Sequence, residues 1–347
     1  MSTWAVVLAG GVGSRFWPLS TSLRPKQLLP LASDKPLLRD SLDRLAPLAD
    51  PAHTLILTNA SLVEAIRQLA PDMPPANVIA EPRPAGTAAA LTWAAATIDR
   101  LDSPDAVMLS IHADWAVANG EGFREALRRA AAVATSERSL VTVGIVPARP
   151  DPGYGYIRPG DPVPGPHGAR HVAEFVEKPD MARASTMVAE GCLWNSGMFV
   201  WRVDDFLSEV RTHCDEVAPS LDAHGDDLAA FFASITTPIA VDVGVLERSD
   251  RVLVLPGDFG WDDVGTWAAL RRVRTRDDAG NVTAGPVHVV NARNNVVHAE
   301  GNDVVLYGVS DLVVVTHHGL TLVTTVQHAD DLKSLLAALP AHVREHE

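Results

Sequence analysis

The sequence has few cysteines, no excess of positive charge and no long apolar run, and each shortage excludes a class of protein. Two cysteines among 347 residues give neither a disulfide framework nor a zinc-binding spacing. A formal net charge of −14 offers no basic surface for nucleic acid. No segment reaches the roughly 18 apolar residues of a membrane span, and Gly10 interrupts the apolar N-terminal run where a signal peptide would continue. We therefore expect a cytoplasmic protein without nucleic-acid or membrane partners.

Alternating apolar runs and helical periodicities indicate an α/β protein whose mostly parallel sheet is covered by helices on both faces. The length suffices for one large α/β domain and a smaller second one. Strands are predicted at 4–9, 54–58, 77–80, 105–111, 140–146, 171–177, 198–203 and 252–256. Helices are predicted at 37–48, 61–69, 87–101 and 121–135.

The texture of the sequence changes after about residue 277. Short β-branched segments punctuated by Asn and Gly replace the helical periods until 329–339, where a terminal helix is predicted. The sequence therefore divides into a larger domain, 1–276, and a small β-rich domain, 277–347. A Pro/Gly-rich patch at 147–168 is expected to form a loop.

The run LAGGVGSRFWPLSTSLRPKQLLPL, residues 8–31, carries the clearest chemical signal because a glycine-rich turn directly follows the first predicted strand. Such a turn can be no more than a tight connection, but its bare amides can also hold phosphate oxygens. Two cations that follow it favour a nucleotide triphosphate site. The glycines are Gly10, Gly11 and Gly13, and the cations are Arg15 and Lys26.

This run is similar to the signature LAGG-x-G-x-R-x-x-P-L…PK of the sugar-nucleotide pyrophosphorylases. Trp17 before Pro18, and RPKQ at 24–27, look most like the mannose-1-phosphate guanylyltransferases within that family. The resemblance implies a Rossmann-like nucleotidyltransferase domain at 1–276, with a mixed, mostly parallel sheet, and a β-helix-like domain at 277–347. It implies GTP and mannose 1-phosphate as substrates, GDP-mannose and pyrophosphate as products, Mg²⁺ or Mn²⁺ as cofactor, and a homodimer as the assembly to test.

Two aspartates that follow predicted strands could bind a divalent metal together with substrate phosphates. Taken alone, they could equally be capping or solvated loop acids. The family places its metal ligands in P-A/S-D-H and W-x-D-V-G motifs, which implies Asp114 and Asp263 here. Asp262 falls at the variable position of the second motif, and His112 and Trp115 replace the Pro and His of the first.

Further site residues follow from the same resemblance. Taken singly, their motifs are equally compatible with helix capping, surface turns and charge pairs, but they match the family's elements in unbroken order. The E-P…T-A segment implies a base pocket, although Ala85-Gly86 replaces the commoner Lys-Asn. GYGYI, FVEKP and WNSGM imply sugar-phosphate contacts. The implied nucleotide contacts are Leu8, Gly10, Gly11, Gly13, Glu81, Gly86 and Thr87; the sugar-phosphate contacts are Gly155, Glu177, Lys178 and Asn195; the catalytic residues are Arg15, Lys26, Asp114 and Asp263.

Three other interpretations bear on the sequence. Another pair of substrates, such as a heptose or glucose 1-phosphate with another nucleotide, remains open. A dehydrogenase is disfavoured because Phe16 breaks GxGxxG, and a catalytically silent homologue because the charged site residues are all retained. The end of the sequence near residue 347 predicts no fused isomerase domain. The histidines of the tail are interpreted as structural or surface residues: His288, His298, His317 and His318.

Overall fold

The computed structural model describes residues 1–11 and 15–344, and the chain forms two compact units. Each unit is built from segments that are distant in sequence. Unit 1 comprises Met1–Gly10, Asp43–His112 and Asn119–Phe259, and unit 2 comprises Gly11–Leu42, Ala113–Ala118 and Gly260–Glu347. The domain boundary predicted between residues 276 and 277 is not tested by this division and stays a prediction.

A mixed sheet forms the centre of unit 1. Its strands are β1 (Thr3–Leu8), β2 (Thr54–Asn59), β3 (Val78–Glu81), β4 (Val107–His112), β6 (Leu140–Ile145), β7 (Tyr156–Pro162), β8 (Arg170–Val176), β9 (Leu193–Arg202) and β10 (Val252–Gly257). In the described part of the chain these nine strands have the order β3-β2-β1-β4-β9-β6-β10-β8-β7. The first four strands pair in parallel, as do β6 and β10, while the other pairs are antiparallel. The predicted mixed α/β sheet is therefore confirmed. In the described residues it is not mostly parallel, because β9 runs antiparallel to β4, β6 and β7, and β8 runs antiparallel to β7 and β10.

An alanine-rich helix and large aromatic rings fill the main core of unit 1. The helices with residues in this unit are α1 (Leu37–Leu45, which begins in unit 2), α2 (Val63–Leu69), α3 (Gly86–Leu101), α4 (Gly120–Glu137), α5 (Met181–Ala189), α6 (Val203–His213), α7 (Ala218–His224) and α8 (Leu228–Ser234). Helix α3 buries most of its length, because alanine side chains let it pack closely against its neighbours. Trp201 stacks on Phe206 with ring centroids 4.2 Å apart.

The loop predicted at 147–168 is partly wrong, because this stretch contains β7. Tyr156 and Ile157 are fully buried and pair with β8, while the following residues become exposed. The register shifts at Pro159, which cannot donate to a ladder. Among the residues that the structure describes, β7 also pairs with β9, but only through Tyr156 and Ile157, so the stretch that contains Pro159 pairs with β8 alone and tolerates a proline as an edge does. The proline that suggested a loop therefore marks an irregular strand.

Unit 2 contains the β-rich tail predicted from the sequence. The elements of this unit are β5 (Ala116–Val117), β11 (Trp261–Asp262), α9 (Leu270–Val273), β12 (Val282–Ala284), β13 (Val287–Val290), β14 (Val296–Ala299), β15 (Val304–Tyr307), β16 (Leu312–His317), β17 (Leu320–Thr325), α10 (Leu332–Ala338) and α11 (Ala341–Arg344). Parallel strands at short sequence intervals pair as β12-β14-β16, and a hairpin adds β17, which is consistent with a β-helix-like coil. Asparagines join successive coils: Asn295 donates to the Asn281 Oδ1 atom, and the Leu312 amide donates to the Asn295 Oδ1 atom.

Across residues 1–11 and 15–344, no helix is both long and apolar enough to cross a membrane.

Two glycines of the tail allow a matched test of backbone packing. Gly285 and Gly301 both have left-handed backbones, with φ of +84° and +88°. A Cβ atom at Gly285 would lie 1.9 Å from the Ala299 carbonyl oxygen, whereas one at Gly301 would meet no atom within 4 Å. We expect Gly301→Ala to cost about 1 kcal/mol of unfolding free energy through backbone strain alone, and Gly285→Ala about 3 kcal/mol. Urea unfolding measures both, and equal losses would contradict the packing argument.

Candidate active site

Lys26 brings together three of the four residues that the sequence analysis assigned to catalysis. Its ammonium lies 2.9 Å from the Asp114 Oδ2 atom and donates a 2.6 Å hydrogen bond to the Asp263 carbonyl oxygen. The Lys26 side chain is only 13% exposed, so its charge is partly removed from water and depends on these partners. All three residues belong to unit 2 but come from three separate segments of the chain.

A short antiparallel pair of strands holds the two aspartate loops together. Asp114 lies just before β5 and Asp263 just after β11, and these strands pair with Asp262 opposite Ala116. The neighbouring Asp262 is buried and accepts two hydrogen bonds from Arg272, at 2.6 and 3.0 Å. Asp262 therefore holds the loop in place through Arg272, while the carbonyl oxygen of Asp263 accepts from Lys26.

The turn after Asp263 is strained and tightly packed. Val264 has a left-handed backbone with φ of 48°, which is costly for a β-branched residue. The Gly265 amide donates to the Asp263 Oδ1 atom at 3.2 Å, and a Cβ atom at Gly265 would lie 2.9 Å from Oδ2. Glycine at this position thus lets the backbone approach the carboxylate closely.

The donor set at Lys26 fits a hard divalent cation. Asp114 and Asp263 provide carboxylate oxygens, the donors that Mg²⁺ and Mn²⁺ take in proteins. The Lys26 ammonium contacts the Asp114 carboxylate and the backbone carbonyl oxygen of Asp263, so oxygen atoms of both loops meet one positive charge. These two residues are therefore the candidates to hold the metal.

The predicted phosphate-binding turn is described only in part. Leu8 is buried at the end of β1, whereas Gly10, Gly11 and Arg15 are exposed. Gly13 lies outside the described residues. Leu8 and Gly10 belong to unit 1, and Gly11 and Arg15 to unit 2.

Glu81 ends β3 beside the backbone of Gly10. A Cβ atom at Gly10 would lie 3.5 Å from the Glu81 Oε1 atom, so glycine allows the two segments to approach. Burial raises the pKa of Glu81 to about 7 from an ordinary value of 4.5. This carboxyl group can therefore change protonation near neutral pH, which is typical of groups in functional sites.

Gly86 and Thr87 anchor helix α3 to the segment before Asp242. Gly86 has φ of +85°, and a Cβ atom there would lie 2.2 Å from the Ile239 carbonyl oxygen. The Thr87 hydroxyl accepts a 2.9 Å hydrogen bond from the Val241 amide. Helix capping, the alternative considered for this motif, does not apply to Thr87, because α3 begins at Gly86 and the Thr87 hydroxyl accepts from a distant amide instead.

The residues predicted to contact the sugar phosphate lie together in unit 1. The backbone amide of Asn195 donates to the Gly155 carbonyl oxygen at 2.8 Å. A Cβ atom at Gly155 would lie 2.8 Å from the Glu177 Oε2 atom. Glu177 also forms an ion pair with the next residue, Lys178, whose backbone has a left-handed φ of 43°. The Glu177 carboxylate and the Asn195 side-chain amide thus lie beside the Gly155 backbone, and the Lys178 ammonium pairs with that carboxylate.

Asp242 joins this cluster and was missed in the sequence analysis. Its Oδ1 atom accepts a 2.7 Å hydrogen bond from the Asn195 Nδ2 atom. Burial raises the pKa of Asp242, and the nearby Glu177 charge acts in the same direction. The available signal was a lone acid inside the apolar run PIAVDVGVL, residues 238–246.

Comparison with known proteins identifies the family. The nucleotidyl transferase family model matches residues 4–279. The chain belongs to the nucleotidyl transferase family. The mannose-1-phosphate guanylyltransferase ManC of Salmonella typhimurium is 39% identical, over 99% of this chain and 74% of that protein. A mannose-1-phosphate guanylyltransferase of Escherichia coli is 37% identical with the same coverage.

Solved structures of related proteins support the same membership. A Thermus thermophilus protein described as a mannose-1-phosphate geranyltransferase has a TM-score of 0.89 and 34% identity, covering 97% of this nucleotidyl transferase and 99% of that chain. A Helicobacter pylori protein described as a mannose-6-phosphate isomerase has a TM-score of 0.60 at 21% identity, covering 75% of this chain and 99% of that one, which shows likeness of fold alone.

The raised pKa of Glu81 predicts a specific dependence of stability on pH. The folded protein keeps the Glu81 proton up to about pH 7, whereas the unfolded chain loses it near pH 4.5, so stability falls as pH rises between these values. Glu81→Gln removes this loss. We expect the variant to be more stable than the parent by about 2 kcal/mol at pH 8 and by much less at pH 5. Urea unfolding at both pH values, with the exposed Glu64→Gln as control, tests this; an equal effect at pH 5 and pH 8 would contradict it.

Proposed function

We propose that the protein transfers GMP from GTP to mannose 1-phosphate, forming GDP-mannose and releasing pyrophosphate. The observation that carries this proposal is the contact of one partly buried lysine, Lys26, with both Asp114 and Asp263. Membership of the nucleotidyl transferase family and the names of the two bacterial relatives described above support the choice of reaction and substrates.

The reaction demands positioning and charge more than proton transfer. Mannose 1-phosphate is already an anionic nucleophile, so its attack on the α-phosphorus of GTP needs no strong general base. The protein must align two polyanions for in-line attack and offset their repulsion. We assign Lys26 and Arg15 to the charge of the triphosphate and of the departing pyrophosphate. The amides of the turn at 10–13 would contribute further donors.

Asp114 and Asp263 would hold Mg²⁺ or Mn²⁺, and the bound cation would supply positive charge to the α-phosphate and the leaving group. Lys26 keeps both residues in position through its contacts with the Asp114 carboxylate and the Asp263 carbonyl. Asp262 holds the same loop from behind through Arg272.

We assign the cluster around Asn195 to the sugar phosphate. The Asn195 Oδ1 atom accepts from the Gly197 amide at 3.2 Å, and its Nδ2 atom donates to Asp242. These bonds fix the orientation of the amide group, whose Nδ2 atom carries a second hydrogen for a sugar hydroxyl. Glu177 can accept from further hydroxyls, and Lys178 can meet the phosphate.

We assign Glu81, Gly86 and Thr87 to the base pocket. The position of Glu81 beside Gly10 supports this assignment, because it places a titratable carboxyl group next to the start of the phosphate-binding turn. The acidic net charge of −14 supports small-molecule substrates without a nucleic-acid partner. A cytoplasmic homodimer completes the proposal, and sedimentation tests the assembly.

Removing either the Lys26 ammonium or the Asp263 carboxylate should abolish most turnover. We expect Lys26→Ala and Asp263→Asn to lower kcat by about 100-fold or more, which is typical for the loss of one electrostatic contact to a transition state. Lys333→Ala, an exposed lysine in the same unit, is the control and should keep full activity. Circular dichroism verifies that each variant is folded. Near-normal turnover of a folded Lys26→Ala protein would refute the role of Lys26.

The identity of the substrates is tested by measuring pyrophosphate release over a grid of nucleoside triphosphates and sugar 1-phosphates. We expect the highest kcat/KM with GTP and mannose 1-phosphate, and loss of activity in EDTA that Mg²⁺ or Mn²⁺ restores. Preference for another pair, such as a heptose or glucose 1-phosphate with another nucleotide, would replace the specific assignment. No release with any pair would favour a silent binding homologue.

A further inference from the structure

A second group of potential metal ligands lies in the β-rich tail. Glu300, His317 and His318 each offer one ligand atom, and these atoms all lie within 4.8 Å of one another. The Glu300 Oε2 atom contacts the Nδ1 atom of His317 directly, and the rings of His317 and His318 meet edge to face with centroids 4.2 Å apart. His317 is buried, whereas Glu300 and His318 are exposed, so solvent reaches the group.

The strand register explains how residues so distant in sequence meet. Ala299 of β14 pairs with Thr316 of β16 in parallel, and the Glu300 amide donates to the Thr316 carbonyl oxygen at 3.1 Å. Glu300 therefore leaves β14 beside His317, the last residue of β16. The sequence analysis interpreted these histidines as structural or surface residues, because the parallel pairing that brings Glu300 to His317 spans a full coil of the tail.

The hairpin turn brings the second imidazole to the same place. β16 and β17 pair with His317 opposite Leu320, so His318 and Gly319 form a two-residue turn. Both have left-handed backbones, with φ of 45° and 83°. Such a turn favours Asn-Gly or Asp-Gly, and histidine, like Asn and Asp, is enriched among non-glycine residues with a left-handed backbone. The left-handed backbone places adjacent imidazoles face to edge, whereas adjacent side chains of a regular strand point to opposite faces.

We propose that Glu300, His317 and His318 form a binding site for a borderline divalent cation, with Zn²⁺ as the preferred ion. Two imidazoles and one carboxylate are a ligand set that zinc takes, with a fourth position left for water. Asp114 and Asp263 instead offer only oxygen donors, which suit Mg²⁺ or Mn²⁺. The two sites therefore differ in chemistry, and the tail site does not depend on the proposed reaction.

A cation at this site would join the end of β14 to the β16–β17 hairpin. Its ligands come from two segments that strand pairing and the Glu300–His317 contact hold together, so binding adds a further cross-link that is present only in the folded tail. Zn²⁺ should therefore stabilise the protein by mass action, increasingly as its free concentration exceeds the dissociation constant.

The test uses the full chain, purified without a histidine tag and stripped of metal with EDTA. The protein is then dialysed into buffer with excess Mg²⁺, which occupies sites that have only oxygen ligands. Competition with a chromophoric chelator measures the stoichiometry and affinity of Zn²⁺. We expect one equivalent to bind, and expect His318→Ala and Glu300→Gln each to weaken binding by at least about tenfold. Thermal unfolding should show a Zn²⁺-dependent rise in Tm for the parent that both variants lose.

His288→Ala is the matched control. His288 is an exposed histidine of the same tail with its own carboxylate partner, Asp303, 3.1 Å away. We expect this variant to bind Zn²⁺ with the affinity of the parent. Less than one equivalent in the parent, equal binding by parent and His318→Ala, or an equal loss in His288→Ala would each overturn the site. Unchanged Mg²⁺-supported activity in His318→Ala would distinguish this result from a failure of the proposed function.

Discussion

The contact of Lys26 with Asp114 and Asp263 is the interaction on which the organisation of unit 2 depends. Lys26 and Asp263 are 237 residues apart, and Asp114 comes from a third segment that contributes only Ala113–Ala118 to this unit. A partly buried ammonium is stable only where carboxylate and carbonyl oxygens replace its water. The same contact that orders the three segments therefore positions the charges proposed for phosphoryl chemistry before any substrate binds, which is the arrangement that electrostatic catalysis requires.

Local periodicity and ordered motifs could predict much of this structure, but long-range polar contacts could not. Strands such as β1 and β10 were evident because buried strands read as continuous apolar runs. Asp114, Asp263 and the cluster around Asn195 could be proposed as site residues because their motifs resemble those of a known family. Asp242 has no such motif, and its role follows only from a hydrogen bond to Asn195 across 47 residues. β7 was missed since an irregular strand carries the same prolines as a loop.

Backbone strain coincides with the residues proposed to handle phosphate. Val264 follows Asp263 directly, and Lys178 follows Glu177, yet both have left-handed backbones that neither residue type favours. Each conformation persists because neighbouring bonds hold it, for example the 3.0 Å bond from the Val264 amide to the Asp262 Oδ1 atom. Both backbone conformations cost folding free energy, and they set the direction of the Asp263 and Lys178 side chains.

The tail shows by contrast why His318 is unusual. In the described part of 277–344, the other non-glycine residues with left-handed backbones are Asn291, Asn294 and Asp311. Asparagine and aspartate tolerate this conformation because their side chains form local hydrogen bonds. The ring of His318 packs against the ring of His317, which Glu300 contacts from the neighbouring coil. The hairpin turn thus brings a second imidazole to an existing carboxylate–imidazole pair, and the proposed cation would bind all three groups at once.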